Sequence, residues 1–198
     1  MEHETIAGIA AAARAKASLL RHGPRQYLIL SALAGAYVGL GIVLIFAIGA
    51  PLQAAGSGAT KAVMGASFGV ALTLVIFAGS ELFTGNNLVM TVGALSRTVA
   101  PGALGKVWAA SFIGNLSGSM LLALAVAVSG VLSKAPAKEF VLGVVWVGFA
   151  RNLGVVTLGN IVGGALLIGL PYWYVAQGER RMLAVRPVEE EARAAVAG

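Results

Sequence analysis

The run from Ala62 to Leu95 sets 34 mostly apolar residues in one block, and in its middle stands GSELFTGNN, Gly79 to Asn87. As one straight helix the block would reach about 51 Å, well past the ~30 Å hydrocarbon core of a bilayer. Tilt alone does not absorb that surplus. A break does, and the quoted residues have the chemistry of one. Gly79 and Gly85 permit turn dihedrals that other residues resist. Ser80, Thr84, Asn86 and Asn87 can satisfy backbone groups that an interruption frees. Irregular backbone is excluded from contact with lipid and tolerated where it is buried in protein or lines a water-filled path. The sequence thus predicts a membrane helix broken for a purpose.

Composition supports the membrane premise. Of the 198 residues, 58% are hydrophobic and 11% charged, against roughly 25% charged in an ordinary soluble domain. Mean hydropathy is +0.87. A chain of this length cannot hide such runs in a core of its own, so it reads as an all-α integral membrane protein. The absence of Cys excludes disulfides and thiolate metal sites. Both histidines, His3 and His22, lie near the N-terminus, so no metal centre or cofactor is expected within the spans. The net charge of +6 comes from basic residues that flank apolar spans, which reads as a topology signal rather than a nucleic-acid surface. No phosphate-cradling GxGxxG and no nucleophile–base–orienter pattern is present, so no enzyme is expected.

Residues 1–26 read as an amphipathic helix at the cytoplasmic interface, with Ile6, Ile9, Ala13 and Leu20 on one side and Gly23-Pro24 ending it. A solvated basic lead-in fits the same residues. The apolar IAGIAAAA precedes Arg14, Lys16 and Arg21, the reverse of the order in a cleavable signal peptide. The transmembrane region is expected over 27–177. Its first span runs from Tyr27 to Gly49, with Ala34, Tyr37 or Val38, and Gly41 forming a smooth strip for close helix approach. A third span covers Leu104 to Leu132 behind the interface anchors Lys106 and Trp108. The region Phe140 to Ala176 is again too long for one crossing and is interrupted at Arg151-Asn152. Residues 178–198 form a charged tail.

FIGNLSGSMLLAL (112–124) aligns with TLGNIVGGALLIG (157–169) at an offset of 45. Both carry Gly-Asn-x-x-Gly, which in a repeat-built transporter points to a central pathway and in any membrane protein also suits helix packing. Charge counting places both termini in the cytoplasm, the N-terminus by Arg14, Lys16, Arg21 and Arg25 and the C-terminus by Arg180, Arg181 and Arg186. Two cytoplasmic ends require an even number of crossings. Four are selected, with residues 140–150 either a re-entrant half-helix or an extension of the last span.

GAYVGLGIVLIFAIG (35–49), MGASFGVALTLVIFAGSELFTGNNLVM (64–90), FIGNLSGS (112–119) and VVTLGNIVGGALLIGLPYWY (155–174) resemble the formate/nitrite transporter family, nearest its nitrite-channel branch. The resemblance covers residues 1–132 and 152–177 and is most specific around GSELFTGN. It implies homopentamers of aquaporin-like protomers, each with six spans in two inverted repeats and its own pore, embedded in lipid of the bacterial inner membrane. The second span is then broken by an Ω-shaped loop, in which Gly79, Glu81 and Gly85 are structural. Leu82, with Phe83 beside it, would form the cytoplasmic constriction and Phe68 the periplasmic one. Thr84 would face the chamber between them, with Asn160 and Asn115 as polar groups of the pore.

The implied task is passage of a small monovalent anion, nitrite or formate. A bare anion in an apolar constriction loses hydration worth many kcal/mol in the low-dielectric limit, which a neutral acid largely avoids. Family members are thought to protonate the anion near a central His. Here the fourth span and the broken fifth span bearing that His have no recognisable counterpart, so the second repeat is shortened. Only SKAPAKEFVLGVVWVGFARN (133–152) lies between the third span and the last, and Lys138 and Arg151 are the stand-ins for a basic residue expected there. Two expectations follow: an anion channel, or a non-conducting truncated or structural subunit of the same family.

Overall fold

In a computed structural model of the chain, residues 2–139, 141, 149–175 and 177 are described. Every regular element among them is helical: α1 (Glu2–His22), α2 (Pro24–Ala54), α3 (Thr60–Phe77), α4 (Phe83–Leu95), α5 (Pro101–Ser129) and α6 (Phe149–Ile161), which continues into a π-helical stretch, Val162–Gly169. Among the described residues, four helical segments are long and apolar enough to cross a membrane: Pro24–Ala54, Thr60–Phe77, Pro101–Ser129 and Leu153–Val175. No more than 22% of any of their hydrophobic windows is buried inside the chain. Lipid or other protein must therefore cover most of that apolar surface.

Gly23-Pro24 separates α1 from α2, with Gly23 donating its N–H to the Leu19 carbonyl and Pro24 at the first turn of α2, where a missing N–H is harmless. α2 runs on to Ala54, through Pro51 and past its expected end at Gly49. The turn beyond Pro51 is closed by Gly56 at φ +68°, where Gly56 and Ser57 donate to the carbonyls of Gln53 and Leu52. That pairing is a Schellman cap, and it satisfies two of the carbonyls that the end of the helix leaves without an intrahelical donor. The reading of residues 140–150 falls mainly outside the described residues, as does the tail over 178–198. The interruption expected at Arg151-Asn152 lies within α6, whose backbone is helical there. The irregularity in this span comes later, as the π-helical winding over Val162–Gly169.

The chain divides into two compact units. One contains Leu19–Phe83 and α5 from Trp108. In it α2 meets α5 along Ser31, Gly35 and Gly39, spaced by one helical turn. A Cβ on Gly35 would overlap the Asn115 backbone, one on Gly114 would overlap Ser31, and one on Gly118 would overlap the Ala32 carbonyl. Ser119 adds a hydrogen bond to the Gly35 carbonyl at 3.0 Å. A second strip on α2 faces α3, where a Cβ on Gly41 would stand 2.6 Å from that of Ala71. The expected strip through Ala34 and Gly41 is present and buried, and the strip through Gly35 and Gly39 stands beside it. Backbones this close give many small dispersion contacts, the principal attraction available between helices in lipid.

The other unit contains α1 up to Ser18, α4 from Thr84, α5 up to Val107 and the last span from Asn160. Here Ile6, Ala10 and Ala13 of α1 are buried. Ile6 and Ile9 join Val92 and Leu88 of α4 in one apolar cluster, and a Cβ on Gly93 would overlap Ala13. The apolar side of α1 is thus spent on α4.

Candidate functional site: the break in the second membrane helix

α3 stops at Phe77 because Gly79 takes the left-handed conformation, φ +61°. Gly79 then donates to the Ile76 carbonyl at 3.1 Å and Ser80 to that of Val75 at 3.0 Å, a second Schellman cap. Three residues later α4 begins at Phe83. The five residues Ala78–Leu82 are the interruption the length argument required.

Further backbone groups of the interruption bond to other helices. Glu81 donates its N–H to the Leu30 carbonyl of α2 at 3.3 Å. Asn115 of α5 contributes three more bonds. Its Oδ1 accepts the Phe83 N–H at 2.9 Å, and its Nδ2 donates to the Ser31 carbonyl at 2.8 Å and the Glu81 carbonyl at 2.9 Å. One amide therefore caps the N-terminus of α4, holds the loop and ties both to α2. Capping is normally done by the residue just before the helix. Leu82 occupies that position and has no side-chain acceptor, so the acceptor comes from a remote helix.

Ser80 and Asn87, two of the local polar residues expected to satisfy the break, do not bond to it. The Ser80 hydroxyl is buried with no hydrogen-bond partner. Asn87 is fully buried and neither its Oδ1 nor its Nδ2 is bonded. Thr84 is exposed on the chain, and Asn86 is buried.

Among the residues singled out in the sequence, Glu81 is 6% exposed, and its backbone accepts from Asn115. Leu82 is half-buried. Phe83 is buried and its ring stands edge-on to Phe112 of α5, centroids 5.4 Å apart and planes at 72°, the favourable arrangement for two aromatic quadrupoles. Phe68 of α3 is half-buried and faces α2 at Gly41. Gly85 is exposed in the first turn of α4. Asn160, near the C-terminal end of α6, is half-buried. The structure thus brings Asn115 together with Glu81 and Phe83 in one clasp. Of the two Gly-Asn-x-x-Gly copies, the first is committed to packing and clasping through Gly114, Asn115 and Gly118. In the second, a Cβ on Gly159 or Gly163 would meet nothing within 4 Å. Among the described residues no group of three or more His, Cys, Asp or Glu could hold a metal ion.

Comparison with known proteins gives a consistent set of relatives. A family model described as "Formate/nitrite transporter" matches residues 3–145. "Nitrite transporter NirC" of Salmonella typhimurium is 46% identical over 121 residues, covering 61% of this chain and 44% of that protein. Its Escherichia coli K12 namesake is 44% identical over the same length. A "Probable formate transporter" of Methanothermobacter thermautotrophicus is 40% identical over 114 residues, 56% of this chain and 42% of that protein. The match thus spans less than half the length of these relatives. Among solved structures, an "FNT family ion channel" superposes with a TM-score of 0.71 at 29% identity, covering 87% of this chain and 98% of that one.

Proposed function

The chain belongs to the formate/nitrite transporter family, and from that premise we propose that it passes a small monovalent anion, nitrite or formate, across a bacterial inner membrane. The observation that carries this reading is the clasped break. A membrane helix is interrupted at GSELFTGNN, and a half-buried amide from another helix is committed to holding the interruption open. Two relatives sharing 44% and 46% identity are named as nitrite transporters.

The site chemistry fits such a task. α4 begins at the break, so the electropositive end of a half-helix is set at an irregular segment, an arrangement that favours an anion. In this reading Leu82 and Phe68 narrow the path, and Thr84, exposed in the first turn of α4, offers its hydroxyl to the solute. Asn160 adds polarity. Phe83 buttresses Leu82 through its packing on Phe112, and Asn115 contributes by fixing Glu81 and Phe83. Passage as the neutral acid relieves the desolvation that a bare ion would meet. Both termini lie in the cytoplasm, α1 and the tail flank the channel region 27–177, and the extensive exposed apolar surface serves lipid contact and assembly as a homopentamer.

A second reading is favoured by chain length: only residues 130–148 lie between α5 and α6 in the sequence, fewer than the roughly 20 residues of a single span. It leaves no room for the two further spans and the central His implied by the resemblance, which suits a non-conducting structural subunit. Nitrite uptake into proteoliposomes containing this chain, with empty liposomes beside them, separates the two. Flux above background is the expected result. Correctly inserted protein with no flux would favour the structural subunit.

A further inference from the structure

Below the break, α4 carries Thr84, Asn87 and Thr91 at i, i+3 and i+7, one stripe along the helix. Opposite the stripe stands the π-helical stretch of the last span. A Cβ on Gly164 would lie 3.0 Å from that of Asn87 and 3.5 Å from the Thr84 carbonyl oxygen, and one on Gly169 would lie 3.4 Å from Thr91 Cγ2. This seam holds three buried polar atoms without a hydrogen-bond partner: Oδ1 and Nδ2 of Asn87 and Oγ1 of Thr91. Asn87 is entirely inaccessible.

That combination costs stability. Buried polar groups are almost always bonded, and each orphan forfeits the hydrogen bonds that it makes to water in the unfolded chain. Leu and Val would fill comparable space at the two positions without that penalty. Proteins break local consistency in this way mainly at functional sites, and π-helical winding within an α-helix concentrates at such sites as well. The chemistry of the pair restricts what it can take. Asn offers two donors and one acceptor, Thr one donor and an acceptor, and neither carries charge. A bare anion entering an apolar seam would lose its hydration without a cation to repay it. A small neutral molecule that both donates and accepts is matched on every side.

We propose that Asn87 and Thr91 form a buried station for one small neutral hydrogen-bonding molecule, either water or the undissociated form of a small acid. The second occupant rests on the transport reading and the first does not.

The test is solid-state NMR on Asn-15N-labelled protein in lipid bilayers, observing contacts from the Asn87 side-chain amide, identified by its disappearance in Asn87→Leu. Contact to water at neutral pH, or to 13C-formic acid in acid buffer, is expected. The contact should weaken severalfold in Thr91→Val, which keeps Asn87 and the shape of the neighbouring side chain. An Asn87 amide that contacts only protein protons under both conditions would overturn the proposal, as would full contact in Thr91→Val. Nitrite uptake run on the same preparation separates the two readings. Water contact without flux keeps the station and removes the transport function, whereas flux with an Asn87 amide contacting only protein protons does the reverse.

Discussion

Asn115 Oδ1 accepts the N–H of Phe83 at 2.9 Å across 32 residues of sequence, so the first turn of α4 is capped from α5. The same amide donates to Ser31 and Glu81, and no smaller or apolar side chain can replace all three bonds. Asn115→Ala is expected to lower stability by about 2–4 kcal/mol, from lost bonds and backbone groups left unpaired. Asn115→Asp should be at least as harmful despite its matching shape, because it sets a carboxylate oxygen against two carbonyls. Thermal unfolding in detergent checks both. A wild-type transition in Asn115→Asp would show that the clasp does not hold the break.

Two left-handed residues give paired predictions of opposite sign. Gly79 ends α3 at φ +61° and Arg97 ends α4 at φ +58°; at Arg97, Thr98 donates to Gly93 as in the other Schellman caps. An L side chain pays roughly 1–2 kcal/mol in this region. Gly79→Ala should therefore lower the unfolding temperature, although a Cβ there meets nothing within 4 Å. Arg97→Gly should raise it, through a gain in stability of about 1 kcal/mol or less once the added freedom of the unfolded chain is counted. Equal and unchanged midpoints for the two would rule out backbone strain as the controlling term.

Much of this was legible in the sequence, for physical reasons that differ by residue. The break was forced by length, because no tilt fits the block from Ala62 to Leu95 into a bilayer, and Gly79 marked its position through its dihedral freedom. The residues that satisfy the break were not legible. Ser80 and Asn87 stood nearest and were chemically suitable, yet the partner is Asn115, since a hydrogen bond across helices depends on how α2 and α5 pack. The repeat containing Gly114-Asn115 was a signal of that packing, though it could not say which group the amide would meet. The π-helical winding at Val162–Gly169 left no sequence mark, because Gly163-Gly164 suits a close α-helical contact equally well.

Close approach of α2 and α5 yields a contrast among glycines. At Gly118 a Cβ would overlap the Ala32 carbonyl and at Gly114 it would overlap Ser31, and both new contacts are with rigid neighbours. Gly118→Leu and Gly114→Leu should prevent folding of the chain in detergent or lower its yield sharply. At Gly159 a Cβ would meet nothing within 4 Å among the described residues, so Gly159→Leu should leave the protomer folded. Size-exclusion chromatography with light scattering then reads assembly alone. A folded Gly159→Leu protomer that no longer assembles would place Gly159 at a subunit interface, and unchanged oligomers would place it toward lipid or solvent. Normal folding of Gly118→Leu would contradict the tight α2–α5 approach.

Thr84 separates stability from passage. It stands one residue after the clasped Phe83, exposed on the chain, so its hydroxyl is available to a solute. Thr84→Val keeps the volume and the β-branch and removes only the hydrogen-bonding group. The unfolding midpoint should stay close to that of wild type, because an exposed hydroxyl contributes little to the fold. Nitrite flux should fall about two- to tenfold, the equivalent of one neutral hydrogen bond to the passing solute. Uptake into proteoliposomes, normalised to inserted protein, gives the answer. Undiminished flux would remove Thr84 from the path, and a lowered midpoint alongside lowered flux would assign its role to the fold of α4.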